Sequence, residues 1–368
     1  MNLLLTLAQW LTWLLSAAAL LATVLPLLRQ TAWWVRVCDF PRLQIVVGLV
    51  ASLLGALLLP PLPGPWHLVL LGALGVAIGY QAYRILPYTP LHGKQVADAS
   101  RPAADLNNHL SLLVTNVLMY NRDAARILGH IRLRQPDIVL AVETDAWWLE
   151  QLQPLAKSHP YTCHAPLPNT YGMLVFSRLP LRQAEIRFLL EADIPSFHGQ
   201  VELPNGVPVR LHFLHPRPPA PAESKTSVRR DAELLLVGRE IAHHDGPTVV
   251  AGDLNDVAWS HTSELFRRLS RLLDPRIGRG LLPTFHADHQ LLRWPLDHVF
   301  HSAHFRLQHL ERLTHMGSDH FPIYIRLSYE PTGWREQTEE LEMPDAEDCE
   351  EAAEKITAGV VDAAENPT

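Results

Sequence analysis

Cysteine is scarce in this chain, and Cys38, Cys163 and Cys349 are the only three among its 368 residues. No C-x-x-C pair occurs, and an odd number of cysteines does not predict a disulfide framework, so the composition fits a reducing compartment. The H-E-x-x-H signature of zinc proteases is missing too, and no cysteine lies at zinc-ligand spacing. A zinc site built on His286 and His289 is left as an alternative.

Charged side chains are absent from three apolar segments near the N-terminus, residues 2–28, 44–59 and 67–83. A helix needs roughly 20 apolar residues to cross a bilayer, which these segments approach or exceed. Residues 60–65 are four prolines, a leucine and a glycine, a run that cannot continue a helix. The sequence therefore predicts three transmembrane helices. A signal peptide is the alternative for the first segment, but it would open with a positive region, and no Lys or Arg precedes Arg29.

Basic residues flank these segments on one side of the predicted membrane only. They are Arg29, Arg36, Arg42, Arg84, Lys94 and Arg101. The proline-rich connection and the first residues of the chain have none. Because Lys and Arg next to membrane spans stay in the cytoplasm, the chain after the third span is expected to face the cytoplasm.

Acidic residues are concentrated near the C-terminus. Residues 331–368 contain twelve Asp or Glu against Arg335 and Lys355, a net charge of -10. Since the whole chain carries -7, the rest carries about +3. Like charges and few aromatic residues oppose collapse, so we expect this tail to be disordered. The charge of the remainder does not predict a strongly basic face for nucleic acid, and a modestly positive groove stays open as an alternative.

The predicted organisation has four parts. They are a membrane anchor at residues 1–86, a juxtamembrane linker at 87–106, a folded domain at 107–329 and the acidic tail at 330–368. In the folded domain, apolar runs predict strands at 109–117, 137–142, 172–176, 207–214, 248–251, 296–300 and 321–327, and helical periodicity predicts helices at 122–134 and 227–243. This pattern predicts an α/β fold in which packed sheets are flanked by helices.

Polar side chains with catalytic capacity stand at the ends of these apolar strands. They are Asn116, Glu143, His215, Asp253, Asn255, Asp297, Asp319 and His320. An amide inside an apolar run, such as Asn116, costs free energy unless partners satisfy it, and a site would supply them. A metal-dependent phosphodiester hydrolase needs carboxylates for a cation and a water, an amide for phosphate and a histidine to move charge.

Spacing supports some pairings among these residues. Asp253 and Asn255 are two residues apart, so on an extended chain they point the same way, toward one phosphate. A buried Asp297 requires a partner, and His320 would satisfy it and become more basic. Asp145 stays an alternative to Glu143, although it lies two residues further into the loop. Taken alone, each residue also fits a plain strand end or turn.

Six short motifs occur in a fixed order along the chain. They are Thr115-Asn116-Val117, Pro136-Asp137-Ile138-Val139 through Glu143, Gly172-Met173-Leu174-Val175-Phe176-Ser177-Arg178, Gly252-Asp253-Leu254-Asn255, Leu296-Asp297-His298-Val299-Phe300 and Ser318-Asp319-His320. In this order they resemble the endonuclease/exonuclease/phosphatase superfamily, which includes deoxyribonuclease-like and exonuclease III-like nucleases, sphingomyelinases and inositol polyphosphate phosphatases. The resemblance implies a four-layered α/β sandwich. The spacing of Asn116 and Asn121 and the prolines after His215 are most similar to the bacterial YafD-like branch, which implies a bacterial inner membrane.

The resemblance also implies a role for each residue. The metal set is Asn116, Glu143 and Asp319, and Glu143 would be the main ligand of Mg2+ or Mn2+. The catalytic set is His215, Asp253, Asn255, Asp297 and His320. Asp253 would orient or deprotonate the attacking water, and Asn255 would donate to the phosphoryl oxygens. His320, paired with Asp297, would stabilise transition-state charge, and His215 would contact the scissile phosphate.

The leading functional hypothesis is a membrane-anchored phosphodiesterase that depends on Mg2+ or Mn2+, either a nuclease or a phospholipid headgroup hydrolase. Its expected partners are the phosphoester substrate and the lipid bilayer, and no protein partner is expected. A catalytically inactive membrane scaffold that keeps the fold is the alternative. A transporter is disfavoured, because the predicted spans offer few polar residues beyond Gln9, Thr12 and Ser16.

Overall fold

The computed structural model describes residues 3–102, 105–338, 341 and 343–366. Its α-helices are α1 (Leu3–Val24), α2 (Trp33–Arg36), α3 (Arg42–Leu58), α4 (Trp66–Ile85), α5 (Ala124–Arg134), α6 (Ala146–Leu152), α7 (Val228–Ala242), α8 (His261–Ser270), α9 (Trp334–Thr338) and α10 (Ala346–Glu365). Its strands are β1 (His109–Asn116), β2 (Ile138–Val142), β3 (Tyr161–Ala165), β4 (Met173–Ser177), β5 (Leu181–Arg187), β6 (Ser196–Glu202), β7 (Pro208–Phe213), β8 (Thr248–Asp253), β9 (Asp297–His301), β10 (Phe305–Arg312) and β11 (Ile323–Tyr329).

The strands form two sheets that pack face to face. One has the order β10-β11-β1-β2-β4-β3 and the other β5-β6-β7-β8-β9. Residues from the inner faces of both sheets, among them Leu112, Leu140, Leu211 and Val249, form one buried core. Helices α5 and α6 cover the outer face of the first sheet, and α7, α8 and α10 cover that of the second. The expected four-layered α/β sandwich is confirmed.

Two parallel strand pairs determine where the polar strand ends meet. Strand β1 runs parallel to β2, and β7 runs parallel to β8, whereas the other pairs are antiparallel. Parallel neighbours end at the same edge of a sheet, so β1, β2, β7 and β8 all deliver their last residues to one end of the sandwich. Strand β9 starts there as well, because Asp297 pairs with Asp253 in the antiparallel β8–β9 register.

The N-terminal helices α1, α3 and α4 pack together through small and branched residues, including Ala19, Leu49, Leu74 and Ala77. Two stretches, Leu3–Leu28 and Trp66–Tyr88, are long and apolar enough to cross a membrane. Helix α3 counts as a third only together with the preceding stretch Trp33–Asp39, from which it is bent by 76°. The structure thus contains two or three helices with the character of a membrane span.

The acidic tail departs from expectation, because most of its described residues form a helix rather than a disordered segment. Helix α10 buries Ala352 and Ile356 against α7 and α8. Its acids pair with basic residues of those helices, as in Arg268–Asp348 at 2.7 Å and Arg229–Asp362 at 2.6 Å. The prediction of disorder was wrong because it counted the charge of the tail alone, without its cationic partners. Residues 339, 340, 342, 367 and 368 of the tail lie outside the described residues.

The segment between the N-terminal helices and β1 is irregular, as expected, but it is packed against the folded domain. Val96 is fully buried in the core between the sheets. Asp98 forms a β-bridge with Leu307 of β10, and the Ala99 backbone N–H donates to the Leu307 carbonyl at 2.8 Å. The linker therefore lies along the edge of the first sheet.

Candidate active site

The amide of Asn116 joins the ends of the two sheets. Its Nδ2 donates to Glu143 Oε1 at 2.6 Å and to Asp253 Oδ2 at 3.0 Å, which uses both of its N–H groups. Its Oδ1 accepts from the Leu118 backbone N–H at 3.0 Å. This buried amide thus has the partners that the sequence argument required, and they are two of the predicted site carboxylates.

His320 lies between two buried carboxylates. Its Nδ1 is 2.7 Å from Asp297 Oδ2, and its Nε2 is 3.5 Å from Asp253 Oδ2. Burial alone would lower the pKa of His320, but the charges of Asp297 and Asp253 and the hydrogen bond that Nδ1–H donates to Asp297 raise it to about 10. The ring is therefore an imidazolium at neutral pH, held by Asp297 with Nε2 directed toward Asp253.

His215 has the opposite character. Its Nε2 is 3.9 Å from Asp253 Oδ2, and its ring lies 5.3 Å from the ring of Tyr171. Burial lowers the pKa of His215 to about 4, so this histidine is neutral at pH 7. Within the described residues its buried Nδ1 has no hydrogen-bond partner, and the same holds for Asp297 Oδ1. Two buried polar atoms beside the cluster are thus left to a ligand or water.

The turn after β8 fixes Asp253 and Asn255. Gly252 has a φ of 142°, and a Cβ there would lie 1.9 Å from the Leu214 carbonyl oxygen, so only glycine lets β8 approach the end of β7 this closely. Asn255 has a φ of 51°, so the extended geometry assumed from the sequence does not apply. Its backbone N–H donates to Asp253 Oδ1 at 3.0 Å and its Nδ2 donates to the Pro216 carbonyl at 3.0 Å. Asn255 stays beside Asp253 through the turn.

Glu143 is only partly buried, and it faces other acids. Burial raises the pKa of Glu143 to about 7, and the nearby charges of Asp253 and Asp319 raise it further, against the hydrogen bond from Asn116. Asp145, the alternative to Glu143 as the site carboxylate, makes other contacts. It accepts from the Trp148 backbone N–H as the N-cap of α6, and it forms an ion pair with Arg122 at 2.8 Å.

Two groups of three ligating side chains come close together in the described part of the chain: Asp253, Asp297 and His320, and His198, His212 and Glu240. In the first, the facing atoms of His320 and Asp297 already share a hydrogen bond, which disfavours a cation between them. In the second, His198 Nδ1 and His212 Nδ1 are 2.8 Å apart, and Glu240 pairs with Arg187 at 3.1 Å. Neither group includes His286 or His289, which leaves the zinc alternative without support in the part of the chain that the structure describes.

Sequence reasoning missed two residues that shape the site. Ser318 Oγ donates to the Asn116 carbonyl at 2.8 Å and accepts from the His320 backbone N–H at 3.0 Å, so it ties two site residues together. Its position in the Gly-Ser-Asp-His motif was the available signal. Phe285 lies against the His320 ring, with centroids 5.0 Å apart, and nothing in its local sequence marked it.

Comparison with known proteins identifies the family. The model of the endonuclease/exonuclease/phosphatase family matches residues 113–320, more than half of the chain. One similar solved structure is an endonuclease/exonuclease/phosphatase from Beutenbergia cavernae, with 20% sequence identity and a TM-score of 0.49 over 61% of this chain and 72% of that chain. The human Nocturnin catalytic domain has 18% identity and a TM-score of 0.49 over 61% of this chain and 96% of that chain. An endonuclease/exonuclease/phosphatase from Bacteroides vulgatus has 15% identity and a TM-score of 0.49 over 60% of this chain and 99% of that chain. Enzymes of this family are divalent-metal-dependent phosphoric ester hydrolases. The chain belongs to the endonuclease/exonuclease/phosphatase family.

Proposed function

We propose that this protein is a membrane-anchored phosphodiesterase that uses Mg2+ or Mn2+ and hydrolyses its substrate by direct attack of water. One observation carries the proposal. The Asn116 amide holds Glu143 and Asp253 together, and Asp253 lies 3.5 Å from a histidine that Asp297 aligns. A carboxylate for a cation, a carboxylate for water and a fixed positive donor are thereby concentrated at one end of the sandwich.

The residues present fit a hard divalent cation. Glu143 and Asp319 offer carboxylate oxygens and are partly exposed, as a cation that keeps several waters requires. Asn116, predicted as a third ligand, instead turns its N–H groups toward Glu143 and Asp253 and holds these carboxylates in place. Burial is the main cause of the raised pKa of Glu143, with a smaller contribution from the charges of Asp253 and Asp319, and a bound cation would favour the charged carboxylate. When bound, Mg2+ or Mn2+ supplies positive charge to the phosphoryl oxygens.

Each protein side chain of the site has a separate role in the proposed reaction. Asp253 orients the attacking water and accepts its proton, because its carboxylate lies at the centre of the cluster between Asn116 and His320. The His320 imidazolium donates through Nε2 to a phosphoryl oxygen, and Asp297 keeps the ring in place. The second N–H of the Asn255 amide and the neutral His215 ring are further donors to the phosphate. A scaffold that kept only the fold would have no use for this alignment, although an inactive scaffold stays the alternative that activity must exclude.

Metal dependence tests the proposal. Full-length protein in detergent is expected to hydrolyse bis-p-nitrophenyl phosphate with Mg2+ or Mn2+, to lose activity in EDTA and to regain it when Mg2+ is restored. The same preparation should be assayed against single-stranded DNA, duplex DNA, RNA and phospholipid, since the proposal covers both a nuclease and a headgroup hydrolase. No hydrolysis of any substrate with either metal would favour the scaffold.

The orientation of the anchor is part of the proposal. The six basic residues named above flank the span ends on one side, and that side carries the sandwich. Arg29 pairs with Glu351, and Arg84 pairs with Glu264 at 2.9 Å. We therefore assign the catalytic domain to the cytoplasmic face of a bacterial inner membrane.

A reporter fused after Thr368 tests this orientation. We expect a green fluorescent protein fusion to fluoresce and an alkaline phosphatase fusion to be inactive, because alkaline phosphatase requires an oxidising compartment for its disulfides. Each fusion should be compared with one made in the connection at Gly64, for which the opposite pair of results is expected. An active phosphatase after Thr368 would reverse the assigned orientation and leave the hydrolytic chemistry untouched.

A further inference from the structure

A row of aromatic rings connects Phe40, which precedes the first turn of α3, with His320 of the site. The Phe40 ring lies 5.8 Å from that of Trp294, and Trp294 is stacked 6.0 Å from Phe285. Phe285 in turn lies 5.0 Å from His320. The loop of residues 285–294 therefore packs on the anchor at one end and on the site at the other.

The other loops around the site rest on the same part of the anchor. In the loop after β7, which contains His215, the Lys225 carbonyl accepts from the Trp33 backbone N–H at 3.0 Å. In the loop after β8, Trp259 Nε1 donates to the Asp39 carbonyl at 2.7 Å. Three of the loops around the site thus contact residues 31–44, the segment between the first and second predicted spans.

Apolar side chains project from the 285–294 loop at this level. Leu291 is 82% exposed and Leu292 is 47% exposed, and Gln44 Nε2, in the first turn of α3, donates to the Leu291 carbonyl at 2.6 Å. Trp34 on the neighbouring segment is 53% exposed. Exposed leucines beside the end of a span, with a tryptophan at the same level, are typical of side chains that enter the lipid interface.

Two guanidinium groups, one from this loop and one from β10, lie against Phe321 beside the site. Arg293 is 5.0 Å and Arg312 is 4.3 Å from the ring centroid of Phe321, the residue after His320. Their hydrogen bonds go to backbone carbonyls, at Ala287 for Arg293 and at Pro283 for Arg312. Neither makes an ion pair with an acid in the part of the chain that the structure describes, so both can bind an anionic phosphate.

We infer that the substrate is an anionic phospholipid of the same bilayer, which reaches the site beneath the 285–294 loop. This inference rests on the proposed function. Leu291 and Leu292 enter the interface, and Arg293 and Arg312 draw the phosphodiester toward His320. The water oxygen bonds to phosphorus and gives its proton to Asp253, one phosphorus–oxygen ester bond breaks, and the departing oxygen takes up a proton. The products are a phosphomonoester and an alcohol, one of which keeps the acyl chains.

The test uses full-length protein in nanodiscs of dioleoyl-phosphatidylglycerol with Mg2+. The double variant Leu291→Asp/Leu292→Asp is expected to lower lipid hydrolysis at least about tenfold, because charged side chains oppose entry of the loop into the apolar part of the interface. Its turnover of soluble bis-p-nitrophenyl phosphate should stay within about twofold of the wild type. Leu133→Asp is the matched control, since Leu133 is a 72% exposed leucine on the catalytic domain, and it should change neither activity.

The outcomes separate this inference from the proposed function. Hydrolysis of the soluble diester without lipid hydrolysis, cleavage of oligonucleotides alone, or equal lipid turnover in both leucine variants would overturn the lipid assignment and leave the phosphodiesterase standing. A parallel loss of lipid and soluble turnover in the double variant would make the leucines part of the folded site and would also overturn it. No Mg2+-dependent turnover of the soluble diester by the wild type would instead overturn the proposed function.

Discussion

The Asp253→Asn variant of the full-length protein is expected to lose turnover of bis-p-nitrophenyl phosphate by about 10²- to 10⁴-fold, the range for loss of a positioned base. The amide keeps the shape of the side chain and its contact with Asn116, but it cannot accept the proton of the attacking water. It also removes one of the three carboxylate charges that raise the pKa of His320. Because Asp253 is not assigned to the cation, added Mg2+ should not restore the rate.

The matched control for this variant is Asp245→Asn, an exposed aspartate in the turn before β8. It should retain wild-type turnover. Thermal unfolding of both variants should be followed, since Asp253 is buried. A folded Asp253→Asn protein with more than a tenth of wild-type turnover would remove Asp253 from the chemical step.

Glu143→Gln is expected to fail in a different way. The change removes the charge that attracts the cation but leaves an oxygen ligand and the Asn116 neighbour in place. The Mg2+ concentration for half-maximal turnover should rise at least about tenfold, and excess Mg2+ should recover much of the rate. Glu150→Gln, on the exposed side of α6, is the control and should leave the Mg2+ dependence unchanged.

The proximity of the candidate site residues was predictable because these residues end strongly apolar strands. Residues 248–251 and 138–142 read as buried strands, so the polar residues that follow them had to emerge at sheet ends, and parallel pairing of β1 with β2 and of β7 with β8 brings those ends together. The contact of His320 with Asp297 follows from the need of a buried carboxylate for a partner.

Other elements gave weaker local signals. Strand β5 is largely exposed, and β3 lies at the edge of its sheet, so neither has a continuous apolar run. These two strands form because they pair with strands that are distant in the sequence, and a local hydrophobic pattern does not reveal such pairing. Helix α10 likewise depends on Arg229 and Arg268, more than seventy residues away in sequence. Helix α3 shows a similar limit, because composition predicted an apolar helix there but not the 76° bend before it.

The contacts between the anchor and the site were also beyond sequence reasoning. Nothing in the sequence around Phe285 or Trp294 shows that these rings link His320 to Phe40, because the contact joins segments about 250 residues apart. The sequence alone also gives no reason to assign leucines in a loop, such as Leu291 and Leu292, to a lipid interface. Only their position beside Gln44 identifies them as candidates for the lipid interface.

The central claim is that a cation at Glu143 and a water held by Asp253 act together at one phosphodiester. The most direct test is turnover of bis-p-nitrophenyl phosphate as a function of free Mg2+, measured side by side for the wild type, Glu143→Gln and Asp253→Asn. We expect a saturable wild-type curve that falls to zero in chelator, a Glu143→Gln curve displaced to higher Mg2+, and an Asp253→Asn curve that stays low at every concentration. Superimposable curves for the two variants, or wild-type turnover that survives chelation, would contradict the assignment.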